Sequence, residues 1–81
     1  MHIKVLYFAQ LAEKLGRDEQ AFEIEEGLTV GQLLQRIQKD WADPDLKQLP
    51  LLKAVNENYC DDAAFLKPGD LVAFLPPVAG G

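Results

Sequence analysis

No serine occurs in this chain, and threonine, histidine and cysteine appear once each, as Thr29, His2 and Cys60. A Ser-His-Asp arrangement therefore cannot be built, which leaves Cys60 with His2 as the one nucleophile and base pair on offer. A lone cysteine excludes an intramolecular disulfide, a cysteine-based zinc site and an iron–sulfur cluster within the chain, and suits a reducing compartment. The glycines at 16, 27, 31 and 69 stand apart, and none opens the G-x-x-x-x-G-K pattern of a phosphate loop. No apolar run approaches the ~18 residues of a membrane span. The opening "MHIKVLYFAQ" lacks the basic, apolar and small-residue regions of a secretory signal, so a cytoplasmic protein with no membrane partner is expected.

Positive charge is also scarce. Eight Lys and Arg stand against thirteen Asp and Glu, for a formal charge of −5, and the lysines at 4, 14, 39, 47, 53 and 67 are scattered. Nucleic-acid binding draws on clustered Lys and Arg, so no nucleic-acid partner is expected. An acidic surface serves solubility and equally suits docking on a basic protein surface. The acidic pairs Asp61-Asp62 and Asp43/Asp45 read as loop and turn residues, since a metal site needs more ligands at defined spacing. No metal is expected.

What is present is enough apolar residue for one core. At 81 residues and 48% hydrophobic, the chain reads as a single domain spanning 1–81. In "IKVLYFA", Ile3, Val5 and Tyr7 alternate with Lys4, Leu6 and Phe8, the pattern of an interior strand covered on one face and partly on the other. "QLAEKLG" places Leu11 and Leu15 at i, i+4 before Gly16, a short helical connection. Phe22 and Ile24 in "AFEIEEG" alternate with glutamates as a one-sided strand. The strongest helix signal is "TVGQLLQRIQKDW": Thr29 and Gln32 have capping-box spacing, and Val30, Leu33, Leu34, Ile37 and Trp41 share one face.

After that helix, Asp43-Pro44-Asp45 reads as its end and the stretch to Pro50 as connecting loop. Leu51 to Val55 reads as a strand that turns at Asn56-Glu57-Asn58 and continues through Tyr59 and Cys60. A Pro68-Gly69-Asp70 turn precedes a last strand, Leu71 to Leu75, which Pro76-Pro77 terminates because proline donates no ladder hydrogen bond. Two strands, a crossing helix and further strands, with the last beside the first, predict an α+β fold of the β-grasp, or ubiquitin-like, type: a mixed sheet of about five strands on one main helix.

The final segment, residues 76–81, reads as an extended tail. Its six residues span at most ~20 Å at ~3.3–3.6 Å per residue. Pro76 and Pro77 stiffen its root, Val78 offers an apolar anchor with Ala79 beside it, and Gly80 and Gly81 present a thin, bare α-carboxylate. Phe8, Tyr59, Phe74 and Leu75 around the root, and Pro76, Pro77, Val78 and Ala79 of the tail, are candidate partner contacts. Alternation sends Phe74 and Leu75 to opposite faces, so one of the two belongs to the core. Cys60 reads as a half-buried strand residue, with no basic neighbour in sequence to lower its pKa.

Three segments, "IKVLYFAQLAEKLG", "LLKAVNENY" and "LKPGDLVAFLPPVAGG", resemble the small-subunit family of molybdopterin synthase, which are sulfur carriers. The resemblance covers nearly the whole domain, and residues 29–50 match in pattern only. It implies that an E1-like adenylyltransferase uses ATP to adenylate the terminal glycine, Gly81, with Gly80 giving access. A sulfur donor protein then converts the acyl-adenylate to a thiocarboxylate. It further implies no tightly bound cofactor and no catalysis by the carrier alone. Sulfur passes to precursor Z in the large subunit, within a heterotetramer of two small and two large subunits. Alternatives left open are a thiamin-pathway sulfur carrier, a ubiquitin-like protein modifier and a β-grasp interaction module with an incidental tail.

Overall fold

The computed structural model describes residues 1–77. In chain order the elements are β1 (His2–Tyr7), α1 (Ala9–Leu15), β2 (Glu19–Glu23), α2 (Val30–Gln38), α3 (Pro44–Gln48), β3 (Leu52–Val55), β4 (Asn58–Cys60) and β5 (Leu71–Leu75). The strands form one sheet in the order β2-β1-β5-β3-β4. β1 and β5 run parallel, and the other neighbouring pairs are antiparallel. With the last strand beside the first and the main helix on one face, this is the β-grasp arrangement expected from the order of elements.

Local chemistry accounts for most of these elements. Gly16 ends α1 in the left-handed region at φ 73°, and its N–H donates to the Ala12 carbonyl at 2.9 Å. At the start of α2, Thr29 Oγ1 accepts from the Gln32 N–H at 3.2 Å while Gln32 Oε1 accepts from the Thr29 N–H at 3.0 Å, a reciprocal capping box. Asn56 and Glu57, at φ 50° and 73°, join β3 to β4 in a two-residue turn whose left-handed centre matches strand twist. Ile3, Val5 and Tyr7 of β1, Val72 and Phe74 of β5, and Val30, Leu33 and Ile37 of α2 meet in the core.

Two expectations need correction. Residues 43–50 are not simply a loop, because Pro44–Gln48 is helical. The restriction that proline imposes falls on Asp43 alone, which is extended at φ −84° and ψ 113°; its Oδ1 caps the turn by accepting from the Asp45 N–H at 2.9 Å. Burial of Leu46 then holds that turn to the core. The main helix also stops at Gln38, short of Trp41. Trp41 reaches the core from a tight turn in which the Asp40 and Trp41 N–H groups donate to the Ile37 and Gln38 carbonyls, each at 3.1 Å.

Candidate functional site

The helices cover one face of the sheet, and the register shows what lies on the other. Leu52 pairs with Leu75, Ala54 pairs with Ala73 and with Tyr59, and Leu6 pairs with Ala73. Directly opposed residues share a face. The open face therefore carries Leu6, Leu52, Ala54, Tyr59, Leu71, Ala73 and Leu75, with Phe8 just past the end of β1. Small side chains at Ala54 and Ala73 leave a floor, and Leu6, Phe8, Tyr59 and Leu75 stand around it. The result is a hollow of about 260 Å³ with Glu57 on its rim.

The exposure of this surface is unusual for its chemistry. Phe8 is 41% exposed, Leu52 43% and Tyr59 72%. Exposed apolar side chains that adjoin on one face make this surface a candidate for interaction. Three of the candidate contacts, Phe8, Tyr59 and Leu75, are thus brought together. Phe74 is a correction: it is fully buried on the helix side and supports the patch from beneath. Pro76 is another, since its ring is buried, while Pro77 is exposed. The calls on Val78, Ala79, Gly80 and Gly81 lie outside the described residues.

Sequence reasoning did not single out Leu6, Leu52, Leu71, Ala54 and Ala73 as surface residues. Alternation about Phe74 could have found Leu71 and Ala73, because residues two apart in a strand share a face. Placing Leu52 and Ala54 beside them requires the pairing of β3 with β5, which no local pattern reveals.

The strand that leads into the tail is pinned at its start. Asp70, only 7% exposed, accepts from Asn56 Nδ2 through Oδ1 at 2.9 Å and from the Lys67 N–H through Oδ2 at 2.7 Å. Asn56 Oδ1 in turn accepts from the Leu71 N–H at 3.0 Å, and the Asn56 N–H donates to the Leu71 carbonyl at 2.8 Å. The Gly69 N–H donates to the His2 carbonyl at 2.7 Å, and Gly69 occupies φ 81°, which suits glycine. Every buried side-chain polar atom among the described residues has a partner. β5 therefore has a fixed origin, and its exit beside Leu52 is set by the register.

The one nucleophile and base pair is not assembled. Cys60 pairs with Lys53, which pairs with Phe74, so the thiol lies on the helix side, whereas His2 alternates with buried Ile3 onto the open face. Two strands, β5 and β3, separate β1 from β4, about 14 Å across the sheet at ~4.8 Å per strand. Burial, reinforced by Asp61, pushes the Cys60 thiol above its ordinary pKa, while Lys53 opposes the shift. Lys53 Nζ is itself held by Asp62 Oδ1 at 2.6 Å. The thiol is kept protonated and is a poor nucleophile. Among the described residues no three His, Cys, Asp or Glu side chains cluster to hold a metal ion, and no helix is long and apolar enough to cross a membrane.

Comparison with known proteins agrees with this architecture. The model of the ThiS family matches residues 5–81. The chain is 40% identical over 83 residues to the molybdopterin synthase sulfur carrier subunit of Chlamydomonas reinhardtii, covering 100% of both chains. It is 43% identical over 82 residues to the protein of the same name from Escherichia coli (strain K12), covering 98% of this chain and 99% of that one. Among solved structures, a putative molybdopterin converting factor, subunit 1, from Pyrococcus furiosus superposes with a TM-score of 0.82 at 32% identity, covering 96% and 99% of the two chains. A chain in the complex of subunits 1 and 2 of molybdopterin-converting factor from Helicobacter pylori 26695 shares the fold with a TM-score of 0.69 at 24% identity, covering 100% of each chain.

Proposed function

The chain belongs to the ThiS family, and from that premise we propose that it is the sulfur carrier of molybdopterin synthase, bearing transferable sulfur on its terminal glycine. The observation that carries the proposal is the apolar hollow of the open face, beside the strand that leads into Pro77 and the Gly-Gly end. A carrier needs a surface that a partner can grip and an arm that enters the partner's site, and the two here share one strand.

The chemistry follows from the terminus. An α-carboxylate has a pKa of ~3.3–3.7, so at neutral pH Gly81 is an anion and a poor electrophile. We place activation in an E1-like adenylyltransferase: the Gly81 carboxylate attacks the α-phosphorus of ATP and pyrophosphate leaves. The terminal sulfur of a donor protein's persulfide then attacks the acyl carbon and AMP leaves; a second donor thiol reduces the resulting acyl disulfide, releasing the Gly81 thiocarboxylate and leaving a donor disulfide. The open face docks on the large synthase subunit as the tail delivers that sulfur to precursor Z, and two loaded carriers supply the two sulfurs of one dithiolene. Gly80 has no Cβ to obstruct a narrow channel. We assign no catalysis to the carrier alone; the raised pKa of the Cys60 thiol and the strands between it and His2 favour that reading.

The test separates docking from delivery. Purified chain is loaded, mixed with the large subunit, and followed both for complex formation and for conversion of precursor Z. Gly80→Ala is expected to leave docking intact and to slow delivery by at least about tenfold, the rate equivalent of ~1.4 kcal/mol. Normal delivery by Gly80→Ala, or by a chain lacking Gly81, contradicts the proposal.

A further inference from the structure

A second surface lies at the outer edge of the sheet. β2 is the end strand and pairs only with β1 among the described residues. The phase of its hydrogen bonds is fixed at both ends: the Tyr7 N–H donates to the Asp18 carbonyl at 2.9 Å, and the Ile24 N–H donates to the Met1 carbonyl at 2.8 Å. Antiparallel partners alternate between exchanging hydrogen bonds and facing away. Gln20 and Phe22 therefore turn their backbone groups inward to β1, and Glu19, Ala21 and Glu23 turn theirs outward to the free edge.

The side chains of β2 alternate too. Gln20 and Phe22 are half-buried on the helix side, and Glu19, Ala21 and Glu23 are exposed on the open face. Beside the edge, on the helix side, lies a cleft of about 350 Å³. Phe22, Ile37, Trp41 and Leu46 contribute its apolar floor, and Lys14, Arg17, Asp40 and Asp43 also line it. The edge thus offers outward backbone groups, a recess with an apolar floor and charged side chains around it on one face, and two carboxylates on the other.

We propose that β2 receives an extended segment of a partner protein in which apolar side chains alternate with lysine or arginine, adding a sixth strand to the sheet. Backbone pairing supplies affinity in strand addition, and alternate side chains supply specificity. The apolar residues of the segment enter the cleft over Phe22 and Trp41. Its intervening cations face Glu19 and Glu23, in keeping with the net charge of −5. Glu19 does have Lys4 nearby at 3.9 Å, but both side chains are more than half exposed and the pair is weak. β1 lies between this edge and β5, and the cleft opens on the helix side of the sheet. A partner can therefore hold β2 while another occupies the hollow of the open face.

The probe is the hexapeptide acetyl-Lys-Val-Lys-Ile-Lys-Val-amide, with a control in which proline replaces the isoleucine at equal charge. Amide exchange and chemical shifts are followed by NMR on the full chain. At saturation the Glu19, Ala21 and Glu23 amides are expected to exchange at least about tenfold more slowly, with little change at Gln20 and Phe22, which are already paired. The proline control is expected to bind at least about tenfold more weakly. Ala21→Pro removes an outward donor without breaking a bond to β1, and it should abolish edge protection. Should that variant be misfolded, the Glu23→Lys chain serves instead and should reject the basic peptide. Absence of binding, or shifts spread over the acidic surface and equal for both peptides, overturns the proposal.

Discussion

Burial pushes the Tyr7 phenol from its ordinary 10.0 up to about 12, against a smaller lowering by Arg17. The unfolded chain releases this proton near pH 10 and the folded chain holds it to about pH 12, so the unfolded state binds fewer protons in that window. Stability contributed by Tyr7 is present below pH 10 and is lost as pH rises from 10 to 12. Tyr7→Phe is expected to flatten this alkaline loss, measured as the urea midpoint across the window. It also removes the hydrogen bond that the hydroxyl donates to Gln20 Oε1 at 3.0 Å, a cost of ~0.5–1.5 kcal/mol. On the open face the expectation reverses. Tyr59→Ala should leave stability within about 0.5 kcal/mol, since the ring is 72% exposed. Binding to the large subunit should nevertheless weaken by ~1 kcal/mol or more, read by calorimetry.

At the scale of elements, β5 and α2 organise both the core and the site. Phe74→Ala is expected to cost ~3–5 kcal/mol in denaturant unfolding, because the side chain is fully buried between the sheet and the helices. Thr29→Ala removes one half of the capping box at a cost of ~1 kcal/mol. Gly31 tests the packing of the same helix end. Its N–H donates to the Asp62 carbonyl at 3.0 Å, and an added Cβ would sit 2.7 Å from Asp62 Cβ, so Gly31→Ala should lower the urea midpoint.

These elements also show where sequence was a good guide. The capping box, Gly16 and the strand alternation at Ile3, Val5 and Tyr7 are local signals, and they were legible because the forces behind them act within a few residues. The helix at 44–48 was hidden because Asp43-Pro44 reads equally as a stop and as a fresh start, and Leu46 settles the matter only through tertiary burial. The hollow was half legible. Phe8, Tyr59 and Leu75 stood out as apolar residues near the tail, but its floor of Ala54 and Ala73 exists only once β3 and β5 are paired.

For the whole molecule, the sheet divides the labour. One face and its helices hold the fold, the other presents an apolar hollow, and the strand between β1 and β3 leads into the tail. The Asn56 and Asp70 contacts fix where that strand begins, and its pairing with β3 sets where it ends, beside Leu52. On the function proposed above, this scaffold serves to carry sulfur on Gly81. Intact mass decides the matter, taken after the chain is incubated with the adenylyltransferase, ATP, magnesium and a sulfur donor, beside a chain lacking Gly81. A gain equal to one oxygen exchanged for one sulfur is expected, absent from the truncated chain. An unchanged mass with a demonstrably active adenylyltransferase would contradict it.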